Sequence, residues 1–577
     1  MPDTIGVFLP EDSRKLLDRS LTLIEACKVS QAIRAAYARA LYAVIETGRQ
    51  DGTRSRANML YSHCDRLASH LFTAGFRFSI DYEYEYPKDI LERARIASRV
   101  LTRDWERTNT DTMFAQGVFE ALRYGCVFLK QWVQQEGDDK SPVFYSSLVM
   151  PWNFGVTNER NNSLDHQDAM CETITLTLPE VWRRISHLPD AEKLFHRIKS
   201  NASKGQSGGE ADSFMHPVFS TQVLQTGVQN MLRPVPGGIV QLNNDPNYAI
   251  MGPEIGVDLV KMYELWVRNG DDYATVQIIE PDIMVTPTPY TKISNALISG
   301  QTHSGLHPYT RICANDLTGY MWGRSEVVDL IEPQGMVSTW CDDATRLFGL
   351  QIDKILGFAG FDGLNDENYD QFRAAGYFKM DQGATVQDLT PRFPPETLGM
   401  IQFAMQLVNK LGGFDNIMDG QGQPGVRSAE QGELLKTMAS PRLYDRSLLL
   451  ERQCAAAGDL RLSLREAKDG HSYWTDPNAI ENTKFVLADL PEDRRVSVDS
   501  HSSSPIFKQQ HQQLVAFGLK SGIVNGESAI ELLSDLPMRD ILIQRWKEAE
   551  EQHAQLIKML MEKDLPGAVQ LLSGKKR

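Results

Sequence analysis

The sequence holds no run of about 18 apolar residues, the length that a bilayer-spanning helix requires, so no membrane span is expected. It also lacks basic charge. Against 75 Asp and Glu stand 60 Lys and Arg, giving a formal charge of −15 over 577 residues and a pI near 5.4. Domains that hold DNA phosphates on a basic surface usually run above about pI 9, which excludes that class. A protein that lets DNA pass without gripping it is not excluded. Cysteine is sparse: Cys27, Cys64, Cys126, Cys171, Cys313, Cys341 and Cys454 form no CxxC pair and are odd in number. They read as free thiols in a reducing compartment. The opening residues lack a basic and apolar leader, so cytoplasmic synthesis is expected.

Catalytic signatures are missing too. There is no GxxxxGK[ST] loop, no GxSxG, no HExxH and no GxGxxG following a strand. Asp415 to Gly420 begins like a calcium loop, but Ile417 and Val426 occupy the third and twelfth positions, where ligands are needed. Asp165-His166-Gln167-Asp168 reads as a solvated turn, and the twelve histidines are scattered. No active site, metal or cofactor is expected.

What is present is an α+β pattern with more helix than strand. Helical periodicity covers 11–47, 54–74, 88–108, 110–124 and 178–187, with strand patterns at 76–84, 127–133, 143–156 and 168–177. Residues 200–255 are rich in Gly and Pro and read as an insertion. The apolar runs 257–268 and 273–280 flank Asn269-Gly270-Asp271-Asp272, a hairpin signal. A helix follows over 324–351, with Pro333 and Gly335 expected to interrupt it. Next comes a mixed segment with short strands at 355–358 and 375–380, and then a helix over 396–411.

That last helix is apolar on almost every face: Leu398, Met400, Ile401, Phe403, Ala404, Met405, Leu407, Val408 and Leu411. An all-round apolar helix must be surrounded by protein. At roughly 24 Å it is too short for a bilayer, so neighbouring subunits are the simplest cover. After it, Gly412 to Gly425 holds five glycines in fourteen residues and reads as a loop. Ser428 to Gln431 fits a capping box opening a helical pattern to about 468, in which Pro441 should produce a kink. Strands at 484–487 and 495–498 follow. Residues 538–563 place Leu542, Trp546, Ala549, His553, Leu556 and Leu560 on a heptad seam.

This succession resembles the portal proteins of tailed bacteriophages. The resemblance is carried by the helical N-terminus leading to Phe76–Tyr84, and by Val149-Met150-Pro151-Trp152-Asn153-Phe154-Gly155-Val156. It continues with Gly323-Arg324-Ser325-Glu326-Val327-Val328-Asp329-Leu330-Ile331 opening a helix, and with the helix, glycine-rich loop and Pro-bearing helix of 396–468. The 200–255 segment departs from the family pattern.

The resemblance implies a mostly helical α+β chain of wing, stem, clip and crown modules, assembling as a ring of about twelve copies at one capsid vertex of the virion. On this chain the wing would be 1–323, with the 200–255 insertion and the 257–280 hairpin. The stem helices would be 324–351 and 396–411, flanking a clip at 352–395. A tunnel loop would span 412–427, a kinked helix and wing strands 428–499, and a crown 500–577. The implied partners are other copies of the chain, double-stranded DNA in the channel, the terminase large subunit, a head–tail adaptor, the major capsid protein and a scaffold, with no membrane. The DNA-facing candidates are Asp342, Asp343, Lys410, Asp415, Asn416, Asp419, Gln421, Gln423 and Arg427. DNA presents about one negative charge per 1.7 Å, so acidic walls with sparse basic rings would let it slide. The other readings are a tail or baseplate structural protein, and a soluble enzyme with an unrecognised site.

Overall fold

Apolar residues at helical spacing draw residues Ser13–Thr47 into α1, a helix of 35 residues that opens the computed structural model of this chain. The structure describes residues 13–49, 55–72, 76–134, 142–204, 258–285, 307–359, 385–388, 396–412, 441–498 and 515–521. A few positions inside these spans are excepted: 56, 187, 202, 270–271, 281, 353–355, 469, 475–483 and 492. After α1 come α2 (Leu60–Leu71), β1 (Phe78–Tyr82), α3 (Lys88–Arg107), α4 (Thr110–Tyr124), β2 (Val127–Gln134), β3 (Val143–Val149), β4 (Phe154–Val156), β5 (Ala169–Thr177), α5 (Leu178–Ile185) and α6 (Ala191–Asn201). Next are β6 (Ser203–Lys204), β7 (Asp258–Asn269), β8 (Asp272–Ile279), β9 (Ile283–Met284), β10 (Tyr309–Ile312), a 3₁₀ turn at Glu326–Leu330, α7 (Ile331–Ile352), β11 (Leu356–Ala359), β12 (Thr385–Asp388) and α8 (Glu396–Leu411). The series ends with α9 (Pro441–Lys468), β13 (Ser472–Trp474), β14 (Lys484–Val486) and β15 (Arg494–Val498). The chain is α+β and mostly helical, and among the described residues no helix is long and apolar enough to cross a membrane.

Two antiparallel sheets organise the first half. One runs β4-β5-β7-β8-β9 with β6 on the end of β7; the other is β10-β2-β3. Side chains alternate across a strand, so each strand feeds two cores. On β5 and β7, Ala169, Cys171, Tyr263, Leu265 and Val267 meet Leu16, Leu23, Ile24 and Cys27 of α1. On the opposite face, Leu176, Val260 and Met262 pack with Val181, Ile185 and Ile198 of α5 and α6. The three-stranded sheet sends Val127 and Leu129 into a separate core with Trp105, Phe114, Val118 and the α9 residues Leu450, Cys454 and Ala457.

Buried or half-buried glutamines join elements that are far apart in sequence. Gln453 on α9 accepts from the Cys313 amide at 2.8 Å and donates to its carbonyl at 3.0 Å, standing in for a neighbouring strand at the end of β10. Gln131 donates to the Ala457 carbonyl on α9. Gln31 on α1 donates to the carbonyls of Asn153 and Cys171 and accepts from the Thr173 hydroxyl. An amide both donates and accepts, so it can satisfy a backbone group that the sheet leaves unpaired. Ionic contacts fasten the same helix. Arg461, fully buried, and Arg465 both bind Asp104 on α3, while Arg494 on β15 holds Glu466 by both carboxylate oxygens.

Two expectations change. The helix expected at 54–74 starts only at Leu60, because Asn58 turns back to donate to the carbonyls of Ile45 and Glu46 and accepts from the Leu60 amide. The helix expected at 324–351 is preceded by a 3₁₀ turn, and α7 passes through Pro333 and Gly335 without interruption. Pro333 is its third residue, where the missing N–H costs no intrahelical bond. The described part of the 428–468 helix begins at Pro441. Residues 428–440, and with them the expected kink, lie outside the described residues. So do the expected strand at 375–380, most of the 200–255 insertion, and most of 500–577.

Candidate functional site: an antiparallel helix pair

The helix pair α7 and α8 is built outward from a fixed base. Ser325 accepts from the Val327 amide at 3.2 Å and donates to the Arg123 carbonyl at the end of α4, which starts the 3₁₀ turn. Glu326, 5 % exposed, binds Arg446 of α9 at 2.9 Å and Asn315 at 2.9 Å. One turn on, Gln334 donates to the Ala57 carbonyl and accepts from the Met59 amide, while Ser338 donates to the Gly48 carbonyl. The first two turns of α7 are thereby strapped to the α1–α2 connection.

Ala404 and Val408 of α8 share one core with Val327, Leu330 and Val337, and with Leu41, Ile45 and Leu60. The C-terminal half of α8 therefore lies beside the N-terminal half of α7, and the two helices run antiparallel. At the far end β11 pairs with β12, Leu356 opposite Asp388 and Ala359 opposite Thr385. The observed partner strand is thus 385–388. Away from the base the pair is little covered by its own chain. Leu398 is 52 % exposed, Met400 50 % and Phe403 62 %, and Phe348 of α7 is 47 %. Only Ala404 and Val408 of α8 are buried.

At the base, α8 ends on Gly412, whose amide donates to the Val408 carbonyl at 3.0 Å. A Cβ at this position would collide with the imidazole of His63, a fully buried side chain of α2. Gly412, the first residue of the glycine-rich stretch, is therefore seated against α2.

The sequence-derived candidates fall in three groups. Asp343 and Lys410 are exposed, on α7 and α8 respectively. Asp342 is half-buried and ion-paired with Arg49, which also donates to the Ser338 carbonyl at 3.0 Å. Its charge is partnered within the chain. Asp415, Asn416, Asp419, Gln421, Gln423 and Arg427 lie outside the described residues. Sequence reasoning passed over Arg49 and His63 as parts of this site. Arg49 follows Gly48, whose φ of 73° ends α1 in the left-handed conformation, and that C-cap signal was the only pointer to it.

A second cluster lies between the two sheets. Lys130 on β2 donates to Glu172 at 2.6 Å and to Glu264 at 2.8 Å. Tyr309 donates to Glu172 at 2.7 Å, and Trp266 and Gln277 each donate to Glu264 at 3.0 Å. Burial, then the charge of Glu264, raises the Glu172 carboxyl, while Lys130 opposes the shift; Glu264 is held below its ordinary value by Lys130 and its other donors. These groups bond to one another and brace one sheet against the other.

Nucleophilic chemistry finds no activated thiol. Burial pushes Cys27, Cys64 and Cys126 up to about 12 and Cys313 up to about 11, and it raises Cys171, Cys341 and Cys454 as well. Thiols raised in this way are poor nucleophiles at neutral pH. The 165–168 run is a turn closed by Gln167, which donates to the carbonyls of Asn158 and Asn161. Asp165 of that turn pairs with His307 at 3.1 Å. Among the described residues no three His, Cys, Asp or Glu side chains gather as a metal site. No protein-family model matches the chain, and no curated protein matches it.

Proposed function

We propose that this chain is a portal protein of a tailed bacteriophage, a structural subunit without catalytic activity. About twelve copies would form a ring at one capsid vertex of the virion, and double-stranded DNA would enter and leave through it. The observation that carries this reading is the helix pair. It is rooted by buried hydrogen bonds, carries the β11–β12 strand pair beyond α7, and bears an apolar helix whose large side chains its own chain leaves uncovered. In a ring each such helix would pack between the helices of neighbouring copies, which removes the cost of exposing Leu398, Met400 and Phe403 to water.

In this reading α7 and α8 are the stem and the β11–β12 strand pair belongs to the clip, where a terminase large subunit and later a head–tail adaptor dock. The capsid protein and scaffold would surround the wing. DNA repels an acidic wall and is held weakly by scattered cations, so a chain of net charge −15 suits passage better than retention. Asp343 and Lys410 are the exposed described candidates for that wall, with Asp415, Asp419 and Arg427 on the tunnel loop. Asp342 would contribute less, because Arg49 already offsets it.

Deleting residues 413–425 tests the loop assignment. Rings should still assemble, while DNA packaging or retention drops. Packaging at the parental level would reject the assignment.

A further inference from the structure

β10 and β2 bring two of the seven cysteines opposite one another. Their register pairs Arg311 with Phe128 and Ile312 with Val127, so one residue further on Cys313 falls opposite Cys126. The Gln131 amide donates to the Pro308 carbonyl. Ladder bonds alternate along an antiparallel pair, so they also join Thr310 with Leu129 and Ile312 with Val127, and skip Cys313 with Cys126. In keeping with this, the Cys313 amide and carbonyl are both bound by Gln453, and therefore point away from β2. At such positions the Cα atoms stand about 4.5 Å apart and side chains are at their closest. That lies within the Cα separations of about 4.4–6.8 Å that a disulfide bridges. Both thiols are fully buried in one core with Phe128 and Trp322, and the Arg311 charge favours the thiolate of each. Of the other cysteines, Cys171 faces Leu265 across its ladder, and the remaining four lie on helices.

The two cysteines sit at the root of the helix pair. A Cβ on Gly323 would collide with the Cys313 sulfur, and one on Gly125, whose φ is 103°, would meet the Trp322 carbonyl at 2.6 Å. Two residues after Gly323, Ser325 starts the turn into α7. A bond between the sulfurs would thus fasten the α4–β2 corner to the segment that leads into α7.

We infer that Cys126 and Cys313 are a redox pair that closes to a cross-strand disulfide when the chain meets a peroxide, locking the base of α7. The Cys313 thiolate attacks one peroxide oxygen and the O–O bond breaks, leaving a sulfenic acid on Cys313 and a hydroxide that takes up the Cys313 proton as water. The Cys126 sulfur then attacks the sulfenic sulfur. The S–S bond forms as the S–O bond breaks, and the hydroxyl leaves as water with the Cys126 proton. The two sulfurs give up two electrons, and the peroxide is reduced to two waters. Burial raises both thiols, so closure is slow at neutral pH, and reducing surroundings would keep the pair open. The bond lies within one chain and does not depend on the ring reading.

Peptide mass mapping of the purified full-length chain tests this without any variant. The chain is treated with hydrogen peroxide, its remaining thiols are alkylated in denaturant, and it is digested without reduction. The expected product is a pair of peptides joined through Cys126 and Cys313, from a chain of monomer mass, with the other five cysteines alkylated. Recovery of Cys126 and Cys313 as alkylated thiols, as sulfinic acids or bonded to other partners would overturn the inference. Closure should also raise the melting temperature, a shift that dithiothreitol reverses and that Cys126→Ala does not show under the same treatment. A linked chain that melts at the parental temperature would overturn the locking role.

Discussion

Gly412 lies directly against the imidazole of His63, so close that a Cβ at 412 would stand 2.7 Å from both ring nitrogens even apart from its collision with Cε1. The contact ties the last residue of the α7–α8 pair to α2, which is itself packed into the base core through Leu60 and Cys64. The glycine-rich stretch starts from this seat, so its first residue is fixed by packing.

Gly412→Ala should therefore lower stability by about 1–3 kcal/mol, the usual cost of overpacking a buried site. His63 is fully buried and cannot swing into solvent. Denaturant unfolding measures the loss, and a variant as stable as the parent would show that the seat yields easily.

Phe403→Asp addresses the exposed face of α8. Phe403 is 62 % exposed, so the change should leave the unfolding midpoint of the isolated subunit within about 0.5 kcal/mol of the parent. In an assembled ring the same residue would be covered, and a buried unpaired carboxylate there should shift the population toward subunits. Sedimentation velocity reads the two states. Equal assembly of parent and variant would remove α8 from the interface.

The sheet-bridging cluster holds two carboxylates and one ammonium, one negative charge too many for a buried site. Glu172→Gln removes the excess while keeping an acceptor for Lys130 and Tyr309, and should leave the protein at least as stable as the parent at pH 8. Lys130→Met strands both carboxylates and should cost about 3–5 kcal/mol. Chemical denaturation at pH 8 distinguishes the two directions.

Glu466 supplies the pH dependence. Burial is the largest influence on it and pushes its carboxyl up to about 7, with Arg494 pulling the other way. A carboxyl raised on folding binds its proton more tightly in the folded state. Its contribution is thus full below the ordinary glutamate value of about 4.3 and is lost as pH rises toward 7. Glu466→Gln should flatten the fall in stability over that window, seen as a smaller change in melting temperature between pH 5 and pH 7.

Much of the local structure was legible because its causes are local. The helices 88–108 and 110–124 are observed as Lys88–Arg107 and Thr110–Tyr124, and the 396–411 helix as Glu396–Leu411. The hairpin around Asn269 to Asp272 is observed with those two residues paired. α6 was passed over, its short amphipathic run directly preceding the insertion in sequence. Contacts between distant residues left no periodic trace. β1 read as a strand, yet nothing near it indicated β15, whose Val496 pairs with Ile80. Lys130 sits in an alternating strand where a charged residue looks solvated, and only the second sheet, through Glu172 and Glu264, explains its burial. Of the candidate site, the all-round apolar character of α8 was readable from composition, whereas the pairing of α7 with α8 was implied only by the family resemblance. Arg49 is too distant in sequence to have been foreseen as the partner of Asp342.

The central claim is assembly into a ring with an axial channel. Electron micrographs of the purified full-length chain in negative stain measure this directly. The account predicts annular particles of about twelve subunits with a central opening. A homogeneous population of single subunits, or of closed particles lacking a channel, at a concentration where the fold is intact would contradict it.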